Sequence, residues 1–111
     1  MSVAEKTPSV GTKLSLDKPD KPELTISVNG RFDFGKHQAF RDAYEKARPE
    51  PASIIVDLKE TTYLDSSALG MLLLLRDHAG GDEAQVRVVN VNSDVRKILA
   101  ISNFDKLFDI S

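Results

Sequence analysis

Between Ser53 and Val91 the chain passes through a β-branched stretch, an apolar stretch of helical length and a second β-branched stretch. No other feature constrains the fold as much. Ile54-Ile55-Val56 is continuous and β-branched, the composition of a central strand covered on both faces. A helical pattern runs from about Ser66 to Ala79, and Gly80-Gly81 stops it. Val86 to Val91 is β-branched again. Strand, helix and strand at this spacing form a βαβ unit, which makes the two strands parallel and the crossover right-handed.

The flanking segments extend that unit. Leu24-Thr25-Ile26-Ser27-Val28 is apolar at every second residue and reads as a half-buried strand ended by Asn29-Gly30. Lys13-Leu14-Ser15-Leu16 is expected to be an edge strand, separated from it by the proline-containing turn Asp17 to Pro22. Phe40, Ala43, Tyr44 and Ala47 lie on one stripe of a helix over Lys36 to Arg48, which Pro49 and Pro51 stop. A third helix is expected over Ser93 to Ser102, capped by Asn92 or Ser93, with Asn103 taking the left-handed turn at its end. Lys106 to Ile110 is expected to be a last strand. The order is ββαβαβαβ: an α/β fold, one small domain with a mixed sheet of about five strands and helices packed on it. A chain of 111 residues fits one such domain, expected over residues 13–111 behind a flexible segment over 1–12.

Composition removes several classes of function. Without cysteine there is neither a disulfide framework nor a thiolate metal site, and the two histidines, His37 and His78, are far apart. Neither a metal nor a cofactor is expected. A net charge of −2 with interspersed signs lacks the basic footprint of a nucleic-acid binder. The first residues hold no apolar core of signal-peptide length, and Ala68 to Leu75 is far short of the roughly 20 residues of a membrane span. The expectation is a cytoplasmic protein that works without a membrane.

The informative stretch is TTYLDSSALGMLLLL, Thr61 to Leu75. Asp65 and Ser66 precede or open a helix, where side-chain oxygens accept orphan backbone N–H groups, so capping alone accounts for one of them. A nucleophilic serine would need a base and an orienting group. The elbow G-x-S-x-G is absent, and no lysine follows Gly70 to make a phosphate loop. Asp33, Asp57 and Asp65 all fall near strand ends, but their spacing matches no magnesium or phosphoryl-transfer motif. The helix itself points elsewhere. Ala68, Leu69 and Met71 to Leu75 surround it with apolar side chains, more than one buried stripe needs, so that some of Met71, Leu74 and Leu75 are expected to face outward as a protein-binding patch. A phosphate on a serine here would add about −1.5 to −2 charges at the positive end of a helix, acting on binding while leaving the fold intact.

Val56-Asp57-Leu58, followed by Tyr63-Leu64-Asp65-Ser66-Ser67-Ala68-Leu69-Gly70-Met71-Leu72-Leu73, resembles the signature of STAS-domain anti-sigma factor antagonists. Gly30-Arg31-Phe32-Asp33 is similar to that family's Gly-x-Leu/Phe-Asp turn, and Val91 to Phe108 to its third helix and following strand. The likeness runs from about Lys13 to Ile110. It implies that Ser67 is the phosphoacceptor. It also implies that the chain has no active site of its own. The unphosphorylated form would bind an anti-sigma factor that is often a serine protein kinase of the histidine-kinase-like ATPase fold. Phosphorylation would end that complex, and a PP2C-type phosphatase would reset it. Asp33, Asp65, Ser66, Ala68, Leu69, Met71 and Leu72 are then the expected switch-loop and partner-binding residues, with Ser66 and Asp65 tying down the helix start. The alternative within the resemblance is an accessory STAS subunit of a lipid or anion transporter.

Three departures from the family pattern stand out. Ala68 and Asn103 occupy positions where glycine is frequent, and the chain ends at Ser111, where many members carry a final helix. The expectation from the last is one bare flank of the sheet or of a neighbouring helix.

Overall fold

A computed structural model describes residues 10–111. Residues 1–9 of the expected flexible segment lie outside the described residues. The first strand, β1 (Val10–Ser15), starts earlier than the expected Lys13. It is followed by β2 (Glu23–Val28), β3 (Gly30–Phe32), α1 (His37–Glu45), β4 (Ser53–Asp57), β5 (Thr61–Leu64), α2 (Ser66–His78), β6 (Val86–Val89), α3 (Ser93–Ile101) and β7 (Asp109–Ile110), with short 3-10 turns before α1, before β6 and after α3.

Five strands form one mixed sheet in the order β1-β2-β4-β6-β7. β1 pairs antiparallel with β2, and the remaining pairs are parallel. β4 is central and β6 is its parallel neighbour, as the βαβ pattern requires. Its two faces are not equally covered, however. Ile54 and Val56 are buried, whereas Ile55 on the other face is only half-buried. Period-2 burial of Leu24, Ile26 and Val28 in β2 and of Val86 and Val88 in β6 puts one apolar face toward the helices. Phe40 and Tyr44 of α1, Ala68, Met71, Leu72 and Leu75 of α2, and Val95 and Leu99 of α3 belong to the same core.

Two short strands go beyond the expected set. β3 and β5 pair in parallel as a separate two-stranded sheet. Gly30 makes this possible: its φ of +82° favours glycine, and its N–H donates to Glu60 O at 2.9 Å. The start of β5 is fixed from two sides. The buried Thr61 hydroxyl donates to Val28 O at 2.7 Å, and Asn92 Nδ2 donates to Thr61 O at 3.1 Å. Asn92 Oδ1 also accepts from Val95 N at 2.8 Å, making it the cap of α3. Asn103 adopts the left-handed conformation after α3, with φ +60°. The expected last strand shrinks to Asp109–Ile110, because the chain from Phe104 coils in a 3-10 turn that buries Phe104 and Phe108.

Candidate functional site at the start of the second helix

The second sheet assembles the site. Phe32 and Leu64 are buried Cα partners at the ends of β3 and β5. Asp33 and Asp65 are the next residues of those parallel strands, so two carboxylates separated by about thirty positions leave the sheet side by side. Each carboxylate caps a helical turn. Asp33 Oδ1 accepts from Gly35 N at 3.0 Å and starts the 3-10 turn before α1. Asp65, with an extended backbone, accepts from Ala68 N at 3.1 Å and starts α2.

Ser67 stands in the first turn of α2, and its hydroxyl donates to Asp65 Oδ1 at 2.6 Å. That oxygen therefore receives two donors, the Ser67 hydroxyl and the Ala68 N–H. Together, with the hydroxyl first, they hold the Asp65 carboxyl below its ordinary range. The cap thus belongs to Asp65 alone. Ser66, expected to share it, is already a helical residue and its side chain faces outward.

The phase of α2 also corrects the expected binding surface. Ala68, Met71 and Leu72 are buried, as is Leu75, so none of them offers its side chain to a partner. A helix apolar on all sides gives no phase in its sequence, and here the sheet takes those four positions. The outward ridge is instead Ser66, half-exposed Leu69 and Gly70, then Leu73, Leu74 and Asp77, at helical spacing. Leu74 is 53 % exposed. A Cβ added at Gly70 would meet nothing within 4 Å. The ridge runs between α1 and the 3-10 turn after α3, where His78 packs on Tyr44 and Arg76 Nε donates to Leu107 O.

Sequence reasoning missed an aromatic and a cation beside the carboxylates. Phe34, immediately after Asp33, is 69 % exposed and stacks on His37 with ring centroids 5.2 Å apart. Arg31 lies 4.6 Å over the exposed Tyr63 ring and 3.5 Å from Asp33 Oδ2. The available signal for Phe34 was negative: it falls outside the Phe40, Ala43, Tyr44, Ala47 stripe that the helix buries.

A carboxylate of lowered pKa is a poor general base. His78 is at the far end of α2 from Ser67, about 16 Å along the axis. Asp57, weighed with Asp33 and Asp65 as a magnesium ligand, has Oδ1 occupied by Lys59 N and Asn90 Nδ2. Among the described residues no group of three or more acidic or histidine side chains could hold a metal ion, and no helix is long and apolar enough to cross a membrane.

A family model described as Mlab, STAS domain matches residues 15–109. The chain belongs to the STAS-domain family. This STAS domain is 63 % identical over 97 residues to a STAS-domain containing protein of Pseudomonas aeruginosa (strain UCBPP-PA14), covering 87 % of this chain and 96 % of that protein. Its fold is that of the anti-sigma factor antagonist SpoIIAA in its unphosphorylated form, with TM-score 0.66 and 16 % identity over 91 % of this chain and 87 % of the other. The phosphorylated form of SpoIIAA from Bacillus superposes with TM-score 0.64 and 16 % identity, covering 91 % of each chain. A sulfate transporter family protein from Wolinella succinogenes has TM-score 0.66 and 15 % identity, covering 74 % of this STAS domain and 67 % of the transporter chain.

Proposed function

We propose that this STAS domain is an anti-sigma factor antagonist whose binding is gated by phosphorylation of Ser67. Unphosphorylated, it binds an anti-sigma factor that is also a serine protein kinase and so frees the sigma factor or another regulator. Phosphorylated, it lets go, and a PP2C-type phosphatase restores it. It acts as substrate and ligand, in the cytoplasm, and carries out no turnover of its own.

The observation that carries the reading is the placement of Ser67. Its hydroxyl lies in the first turn of a helix whose outward ridge is apolar through Leu69, Gly70, Leu73 and Leu74. An apolar ridge that exposes Leu73 and Leu74 on the surface of a small domain fits a protein partner. A doubly charged group at its head changes what a partner meets there without touching the core side chains Ala68, Met71 and Leu72. The fold shared with SpoIIAA, known in both phosphorylation states, supports the reading at the level of architecture. In calorimetric titration with the cognate anti-sigma kinase, Ser67→Ala should bind as the unmodified chain does, and Ser67→Glu at least tenfold more weakly. Equal affinity of the two variants would refute the gate.

A second reading is favoured by the sulfate transporter neighbour. In it the same ridge docks on a transporter for a lipid or an anion. Ser67 then has no role in release, so that both variants would bind the transporter equally.

A further inference from the structure

We infer that phosphorylation of Ser67 drives the Asp65 carboxylate out of the cap of α2, so that the modification is converted into a change of conformation at the helix start. This rests on Ser67 as the modified residue, and the geometry of one oxygen atom carries it. Asp65 Oδ1 accepts the Ser67 hydroxyl at 2.6 Å and the Ala68 N–H at 3.1 Å. When a kinase transfers the terminal phosphoryl group of a nucleoside triphosphate to Ser67 Oγ, an O–P bond forms, the diphosphate leaves and the hydroxyl proton passes to solvent. The shorter of the two bonds to Oδ1 is thereby abolished, since its proton no longer exists. In its place come phosphoryl oxygens carrying about −1.5 to −2 charges, bonded through an atom that stood within hydrogen-bond distance of the carboxylate.

Two anions so close repel, and the cation paired with this acidic cluster, Arg31, is directed at Asp33 and Tyr63. The Asp65 side chain is half-buried, and the bond that opposes its turning away is the 3.1 Å one from Ala68 N–H, which the Asp65 carbonyl oxygen also accepts at 3.1 Å. The phosphoryl group is then the anion nearest the orphan N–H groups of the first turn, where a negative charge is favoured. The exchange re-aims Asp65 on the surface that a partner meets, next to Asp33 and the exposed ring of Phe34.

A thermal double-mutant cycle on the full chain tests this without any partner. Asp65→Ala is measured with Ser67 unmodified and with phosphoserine installed at position 67 during translation. In the unmodified chain the substitution removes a working cap, and the melting temperature should fall by roughly 4 °C or more. In the phosphorylated chain it should leave the melting temperature unchanged or raise it, because the carboxylate has already left. Asp65→Asn supplies the control: it keeps a capping oxygen without the charge, so it should stabilise the phosphorylated chain and cost the unmodified chain less than Asp65→Ala does. An equal fall for Asp65→Ala in both states would overturn the inference. Failure of the partner-gating reading shows instead in the binding titration, which this cycle does not use.

Discussion

Ser67 and Asp65 are joined by a 2.6 Å hydrogen bond in which the serine donates and the carboxylate that caps α2 accepts. The phosphoacceptor of the proposed switch is therefore hydrogen-bonded to the cap of its own helix, and each reports on the other.

The first consequence is a pH dependence. Asp65 titrates below its ordinary value in the folded chain, because the Ser67 hydroxyl and the Ala68 N–H favour the ionised form. A folded value lower than the unfolded one gives stability that is present above the unfolded pKa and lost as pH falls through the folded pKa. Acid unfolding followed by circular dichroism below pH 4 should therefore be less steep in Asp65→Asn. In Ser67→Ala the NMR titration midpoint of Asp65 should move up toward its ordinary value.

The two serines separate by stability. Ser66 faces outward and leaves the cap to Asp65, so Ser66→Ala should change the unfolding free energy by no more than about 0.5 kcal/mol in urea titration. A loss of a full cap's worth, about 1 kcal/mol, would show that Ser66 shares the role.

Gly70 separates folding from binding. An added Cβ meets nothing within 4 Å, and alanine is favoured over glycine in a helix interior by about 0.8–1.0 kcal/mol. Gly70→Ala should therefore stabilise the free domain by up to that amount in denaturant unfolding. If the ridge is the partner surface, the same methyl group weakens binding, so stability and affinity move in opposite directions.

Adjacent leucines on α2 make the same distinction more strongly. Leu72 is fully buried, and Leu72→Ala should cost about 2–5 kcal/mol. Leu74 is 53 % exposed, and Leu74→Lys should leave the melting temperature within a few degrees while, if the ridge is the partner surface, reducing affinity for the proposed partner. Thermal melts paired with calorimetry on both variants check this.

The physical reasons for success and failure of the sequence reading differ by element. The central βαβ unit and the β2 strand were legible because their periodicity is strong and their ends carry Gly80-Gly81 and Asn29-Gly30. β3 and β5 were not, since three or four residues are too few to show a period and their pairing is set by the positive φ of Gly30 and by Thr61 reaching Val28. The aspartates were recognised, but their adjacency is a product of that hidden pairing. The cap could be narrowed to Asp65 or Ser66 by residue type alone. Only the extended backbone at Asp65 chooses between them. The apolar run of α2 announced a buried helix with surplus leucines, yet with hydrophobic side chains on every side it could not say that Met71 and Leu75 go in while Leu73 and Leu74 stay out.

The pairing of β3 with β5 has a consequence for recognition by an enzyme. Asp33 stands beside Asp65 only after the chain between them has folded and Phe32 has found Leu64. A synthetic peptide copying residues 61–75 contains the hydroxyl and one acid, but lacks the second acid, the Phe34 ring and the Arg31 cation. Under the proposed switch, the surface around Ser67 would thus be a conformational epitope: a kinase reading it would distinguish intact copies of the protein from unfolded or proteolysed ones.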